Sequence, residues 1–191
     1  LQKKENKHVL SMIRKLSTKE ILEENLAHYP PKGMQKIKIF LHNIRSMHNV
    51  GSVFRSSDAF GVSEIILSGY TPAPPRDEIT KTAIGAEAFV HWRFVEHPVS
   101  EIQLLKQKGY IIYGLEQTNS SISILDHTFS ANEKVCIVMG NEVTGIDTEI
   151  LPHLDHCLAI PQFGHKHSLN VSVATGVTLY ALLQKFYEFE I

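Results

Sequence analysis

Three polar clusters in this sequence carry residue types that can do chemistry. The first is Asn43-Ile44-Arg45-Ser46-Met47-His48-Asn49-Val50-Gly51-Ser52-Val53-Phe54-Arg55. An apolar run stops there, polar residues gather, and a helix is expected to begin near Asn49 or Val50. Asn49 suits the cap of that helix, because its side-chain oxygen can accept a free helix N–H. Arg55 offers a guanidinium fork that matches a phosphate, although the same spacing also suits a plain surface arginine. The second cluster, Met139-Gly140-Asn141-Glu142-Val143-Thr144-Gly145, follows an apolar run directly. Gly140 permits a close backbone approach or a positive φ, and Glu142 sets a carboxylate beside it. The third is Ile160-Pro161-Gln162-Phe163-Gly164-His165-Lys166-His167-Ser168-Leu169-Asn170-Val171-Ser172. Ser168 or Asn170 opens a helix there, and free N–H groups at a helix start suit polar ligand atoms as well as simple capping. His165 and His167 form an H-x-H pair, but no third ligand stands at metal spacing, so no metal is expected. Neither G-x-G-x-x-G nor a P-loop is present, which argues against a nicotinamide-dependent oxidoreductase.

The elements that must position these clusters alternate between strand and helix. Strands are expected over residues 37–41, 64–68, 90–95, 110–115, 135–139 and 157–160. Helices are expected over 50–60, 82–89, 101–108 and 170–189, with Gly61 and Gly109 as stops. Residues 135–139, Val-Cys-Ile-Val-Met, are apolar throughout, as in a parallel strand buried on both faces. The rhythm predicts an α/β parallel sheet with helices on both faces, whose ligands bind beyond the carboxyl ends of the strands. Each polar cluster stands at such an end.

Length and composition agree with this. A chain of 191 residues with 43% hydrophobic and 20% charged residues fits one globular domain with a small appendage. No apolar run reaches the ~20 residues of a membrane span. The first residues, Leu1 to Lys7, lack the apolar core of a secretory leader. Cys136 and Cys157 lie in apolar surroundings and read as small core residues, so a reducing cytoplasm is the expected setting. Residues 1–38 hold nine Lys/Arg against four Asp/Glu, and the remaining 153 hold ten against sixteen. Residues 1–36 are expected to form a basic helical extension. Ser17-Thr18-Lys19-Glu20 is a capping-box pattern, and Ile21, Leu22 and Leu26 form a stripe before Pro30-Pro31 ends the helix. Lys3, Lys4, Lys7, Arg14, Lys15, Lys19 and Arg45 are candidate contacts for a polyanion. The extension could equally pack on a second copy of the chain.

Taken together, the three clusters resemble the SpoU (TrmH-like) branch of the SPOUT RNA methyltransferases. Asn49-Val50-Gly51-Ser52-Val53-Phe54-Arg55 with Asp58-Ala59-Phe60-Gly61 looks like that family's first motif. Val138-Met139-Gly140-Asn141-Glu142 with Gly145-Ile146 looks like the second. Ile160-Pro161 with Ser168-Leu169-Asn170-Val171-Ser172-Val173-Ala174 looks like the third, and Lys81 to Glu87 gives softer support. The resemblance covers residues 37–189. It implies a parallel-sheet SPOUT domain over 37–191 with a C-terminal deep trefoil knot. It also implies S-adenosylmethionine as cofactor, a homodimer whose sites are completed from both chains, and a 2′-O-methylated ribose in tRNA or rRNA as product. A D-loop guanosine of tRNA is the expected target; a tRNA wobble ribose, an rRNA site and an inactive RNA-binding module are the alternatives. Residue by residue, the resemblance assigns Leu115, Glu116, Gln117 and Thr118, with Gly140, Asn141, Ile160, Ser168 and Leu169, to the cofactor pocket. Arg55 matches the family's key catalytic arginine. Asn49, Glu142, Ser168 and Asn170 are assigned with it to the catalytic group. The loop Gln162 to His167 departs from relatives in being less apolar, which bears on substrate choice.

Overall fold

Seven parallel strands form one sheet in the computed structural model, which describes residues 13–187. In chain order they are β1 (Ile37–His42), β2 (Glu64–Ser68), β3 (Trp92–Val95), β4 (Tyr110–Leu115), β5 (Ile122–Ser123), β6 (Lys134–Met139) and β7 (His156–Ala159). Across the sheet the order is β3-β2-β1-β6-β4-β7-β5. Ile39 of β1 pairs with Ile65 on one side and Ile137 on the other. The two-residue β5 pairs only with β7; it is too short to leave a periodic signature in the sequence.

Alternation sorts each central strand onto two cores. Ile39, Leu41, Ile65, Leu67, Val135, Ile137 and Met139 face one layer, which also holds Val53, Phe54, Leu179 and Leu182. Phe40, Ile66, Ile112, Cys136 and Val138 face the other, against Ile102 and Leu105. A strand buried on both faces has no polar phase, which explains its continuous apolar run. Helices α2 (Met47–Ala59), α3 (Asp77–Ala83) and α5 (Val171–Tyr187) cover the first face, and α4 (Pro98–Gln107) covers the second. Cys136 and Cys157 are free thiols, and burial pushes the Cys136 pKa up to about 12. Among the described residues no helix is long and apolar enough to cross a membrane.

Helix starts differ most from expectation. α2 begins at Met47, a turn before the expected start, because Ser46 rather than Asn49 is its cap: the Ser46 hydroxyl accepts the Asn49 N–H at 3.3 Å. α4 begins at Pro98, where the missing N–H of proline costs nothing in a first turn. The helix expected over 82–89 is instead α3, ending at Ala83, followed by a short 3₁₀ turn at Ala86–Ala88. Ile84 (φ 54°) and Gly85 (φ 87°) turn left-handed between them and break the ladder.

The extension has its own character. Helix α1 (Thr18–Ala27) carries the expected capping box: Glu20 donates its N–H to the Ser17 hydroxyl at 3.3 Å, and its carboxylate accepts the Ser17 N–H at 2.8 Å. No residue of α1 is buried. Arg14 donates twice to the Glu20 carboxylate and holds its pKa down to about 2. Lys19 stands near Glu23. Two of the cations expected to meet a polyanion are therefore occupied by carboxylates, while Lys3, Lys4 and Lys7 lie outside the described residues. Packing of the body begins at Pro30, whose ring lies against Gly61, and Pro31, ahead of the expected boundary at 37. Met34 is fully buried, and Gly33 lies so close to Phe186 that a Cβ would stand 2.3 Å from its ring.

Candidate functional site

The strand order reverses at β1: the chain runs outward through β2 and β3, then crosses to β4 and returns to set β6 against β1. The crevice outside the carboxyl ends of such strands is where open α/β sheets take ligands. Here it holds Glu142, just past β6. One oxygen of its carboxylate accepts the Arg45 N–H at 2.9 Å, and the other accepts the Ser46 N–H at 3.1 Å and the Asn49 side-chain amide at 2.9 Å. Partial burial raises the Glu142 pKa, but these donors outweigh it and hold the carboxyl below its ordinary range. Glu142 is thus a charged brace that locks the loop after β1, and a poor proton acceptor.

Asn49 passes this order on. Its oxygen accepts the Asn170 side-chain amide at 3.0 Å. The Asn170 oxygen in turn accepts the Ser172 N–H at 2.8 Å and caps α5. A chain of three side chains, Glu142–Asn49–Asn170, therefore ties together the first, second and third clusters. Asn49 was expected as a helix cap; it serves as the link, and Asn170 does the capping.

The second loop is held just as tightly. Asn141 is buried; its amide donates to the Asn43 carbonyl at 2.9 Å and to the Tyr70 hydroxyl at 2.8 Å, while its oxygen accepts the Val143 and Thr144 N–H groups. Gly140 is required by packing: a Cβ there would stand 2.3 Å from the Gly145 carbonyl carbon and the Ile146 nitrogen. Glu116, past the end of β4, accepts the Ile146 N–H at 3.0 Å and the Gln117 N–H at 2.9 Å. It sits directly against Gly145 (φ 72°), where a Cβ would meet its carboxylate at 2.2 Å. Gln117 donates to the His167 carbonyl at 2.9 Å, joining the β4 loop to the third cluster. Thr118 donates its N–H to the Ser121 hydroxyl at 2.5 Å. Leu115 and Ile160 are half-buried, whereas Ser168 and Leu169 are exposed.

Arg55 is not part of this cluster within one chain. It is exposed on α2 and makes no hydrogen bond or ion pair among the described residues. Six residues of helix separate it from Asn49, about 9 Å along the axis and away from the strand ends. The Arg45 side chain is exposed at the rim.

Several contributors have no plain signal in the sequence. Ser46 donates to Glu142 and caps α2. Asn43 (φ 56°) accepts the Tyr70 N–H at 3.2 Å and donates to Asp147 at 2.7 Å; only the tolerance of asparagine for left-handed backbone hints at this. His42, Asp147 and Glu149 place ligand-type atoms within 4.8 Å of one another, the one such group among the described residues. His42 is already engaged there: its Nδ1 meets the Ser68 hydroxyl at 2.7 Å and its Nε2 meets Asp147 at 3.1 Å.

Residues 36–180 match the model of the SpoU rRNA methylase family. This chain belongs to that family. A tRNA (guanosine(18)-2′-O)-methyltransferase of Aquifex aeolicus is 29% identical over 150 residues, 78% of this chain and 69% of that protein. A protein of Staphylococcus saprophyticus described as a putative TrmH family tRNA/rRNA methyltransferase is 30% identical over 148 residues, 77% of this chain and 58% of that one. This SpoU chain is thus shorter than either relative. In three dimensions it resembles the A. aeolicus TrmH/SpoU tRNA modifying enzyme with a TM-score of 0.75 at 26% identity, covering 89% of this chain and 86% of that one. An AdoMet-bound rRNA methyltransferase from Sinorhizobium meliloti gives 0.72 at 25% identity, over 82% of this chain and 58% of that one.

Proposed function

We propose that this SpoU protein transfers a methyl group from S-adenosylmethionine to a ribose 2′-hydroxyl of RNA, with a D-loop guanosine of tRNA as the target, and that it works as a cytoplasmic homodimer. The Glu142–Asn49–Asn170 chain carries the reading, because it fastens three family motifs into one crevice at the carboxyl ends of β1 and β6. The A. aeolicus relative, whose description names guanosine 18 of tRNA, supports the choice of target.

The residues at the neighbouring strand ends suit the cofactor. Leu115 and Ile160 offer half-buried apolar surface for an adenine, and Leu169 adds exposed apolar surface. Thr118, Ser168 and the loop backbone supply polar groups for a ribose and an amino-acid tail. The carboxylate of Glu116 is already satisfied by two N–H donors, so it braces this wall. We infer that the chain from β6 to α5 closes the pocket as a deep trefoil knot; the insertion of β6 between β1 and β4, with β7 beyond β4, supports this.

The cofactor supplies an activated methyl, so the protein must align the hydroxyl and exclude water. A guanidinium keeps its protons, and Glu142 is saturated with donors, so neither serves as the base. Arg55 clamps the phosphate beside the reacting ribose, and the hydroxyl proton leaves through water. Since Arg55 stands away from its own crevice, it serves the crevice of a second copy. Val173, Val177 and Tyr180, exposed at helical spacing on α5, support such a copy: they are 52%, 41% and 54% exposed along one stripe.

Purified protein, S-adenosylmethionine and unmodified tRNA, followed by mass-spectrometric mapping, test the reading. A 2′-O-methylated D-loop guanosine is expected; tRNA left unmethylated would overturn it. Arg55→Ala is expected to lose about 100-fold or more in rate while the melting temperature holds, on the scale of a lost transition-state contact. A near-normal rate in Arg55→Lys would remove the bidentate clamp.

A further inference from the structure

The loop between β7 and α5 ends in a feature that the methyl-transfer site does not use. Phe163 is 98% exposed, yet both ends of its loop are fastened: Ile160 packs on the main core, and beyond the tip His167 and Asn170 are held by Gln117 and Asn49. An aromatic ring is thus presented to solvent on an anchored loop that runs directly into Ser168 and Asn170.

The surroundings say what such a ring meets. Beside it stand His165, Lys166 and His167, all exposed. From residue 156 to residue 187 the sequence contains no Asp or Glu, although the chain holds 20 of them. Gly164, next to the ring, has nothing within 4 Å of where a Cβ would stand, so the space there is open. The exposed apolar residues of α1 show the contrast, since Glu20, Glu23 and Glu24 accompany them. An unpartnered ring beside a lysine and two histidines, on a segment with no carboxylate of its own, suits a polyanion with flat, unstacked bases: every nucleobase offers a π-face, and the lysine and imidazole N–H groups meet the phosphates between.

We propose that Phe163 is a stacking platform for a base of single-stranded substrate RNA next to the methylated ribose, with His165, Lys166 and His167 facing the adjoining phosphates. This deepens the RNA-methyltransferase reading and rests on it. The platform selects for a loop whose bases are splayed out rather than for a paired helix.

The test uses the full chain and a fluorescein-labelled tRNA transcript read by anisotropy. Phe163→Ala is expected to weaken tRNA binding about 5- to 150-fold, the range for loss of one stacked base, and to raise the KM for tRNA more than it lowers kcat. Phe163→Trp should restore binding, and Phe163→Leu should not, since a leucine keeps apolar surface but has no π-face. Calorimetric affinity for S-adenosylmethionine and the sedimentation coefficient should match the parent in all three. Unchanged tRNA binding by Phe163→Ala, or full restoration by Phe163→Leu, would overturn the platform. Dissociation of the oligomer in Phe163→Ala would overturn it too, by assigning the ring to a protein contact. The two readings separate cleanly. A parent protein that binds tRNA through Phe163 but methylates none keeps the platform and loses the enzyme. Methylation by the parent with normal binding by Phe163→Ala keeps the enzyme and loses the platform.

Discussion

Replacing Glu142 by Gln tests the crevice at its centre, because the substitution keeps shape and removes charge. The carboxylate serves three donors, two on one oxygen and one on the other. A glutamine can turn its carbonyl toward only one of these positions. The better orientation keeps Ser46 and Asn49 and sets an NH₂ against the Arg45 N–H. One charge-assisted hydrogen bond is lost, two donors confront each other, and the remaining pair weakens with the charge. A hydrogen bond to a charged group contributes about 1.5–3 kcal/mol, and the partial exposure of Glu142 places the expected cost at the lower end, about 1.5–2 kcal/mol. For a domain of this size that lowers the melting temperature by roughly 3–8 °C. Methyl transfer should fall further than stability, because the loop that begins α2 loses its register. Thermal unfolding by circular dichroism and steady-state methyl transfer are the assays. Combining the change with Asn49→Ala should give a double-mutant coupling of about 0.5 kcal/mol or more, as contacting groups do. A melting temperature within about 1 °C of the parent, with ordinary turnover and no coupling, would refute the argument that this carboxylate holds the motifs together.

The same carboxylate sets a pH dependence. Its folded pKa lies below the ordinary glutamate value, so its contribution is complete above about pH 4.3 and fades as acid titrates the folded protein. The melting-temperature gap between the parent and Glu142→Gln should therefore narrow below that pH, and a gap that widens in acid contradicts the sign. Gly140→Ala drives a methyl group into the backbone of Gly145 and Ile146, so a loss of about 3 kcal/mol in chemical denaturation is expected; a stability equal to the parent's would show that the loop has room. Removing residues 1–30 takes from the packed body only the Pro30 ring beside Gly61, so the melting temperature should change little while tRNA affinity falls more than cofactor affinity. Equal loss of both affinities would mark the extension as a packing element.

Much of the architecture could be read from the sequence because buried parallel strands leave a plain trace. Val135 to Met139 reads as a strand with no polar phase, and it occupies the middle of the sheet. The three clusters were visible as polar loops following apolar runs, and side-chain hydrogen bonds join them. What escaped depends on the third dimension. Ser46 and Asn49 both have the chemistry of a cap, and only the position of Glu142, across the sheet, decides that Ser46 caps while Asn49 links. Asn43 gives no periodic signal at all, since its left-handed φ matters only where Gly69 and Tyr70 approach it. Arg55 stood out as a candidate by motif, but its distance from its own crevice is a property of helix geometry. The basic character of the extension was clear in composition, while the engagement of Arg14 by Glu20 appears only once α1 is capped.

The strand inserted between β1 and β4 also fixes the order of assembly. Ile39 must wait for Ile137, about a hundred residues later, before the centre of the sheet can close, and pairings of such separation make folding slow. A nascent chain that has emerged only as far as β4 carries two raw edges where β6 will lie, a condition that invites aggregation. The keystone and the loop bearing Glu142 arrive together, but Asn170 follows only at the start of α5, so the crevice is fastened last. Every strand of the sheet is therefore made before the last side chain of its crevice.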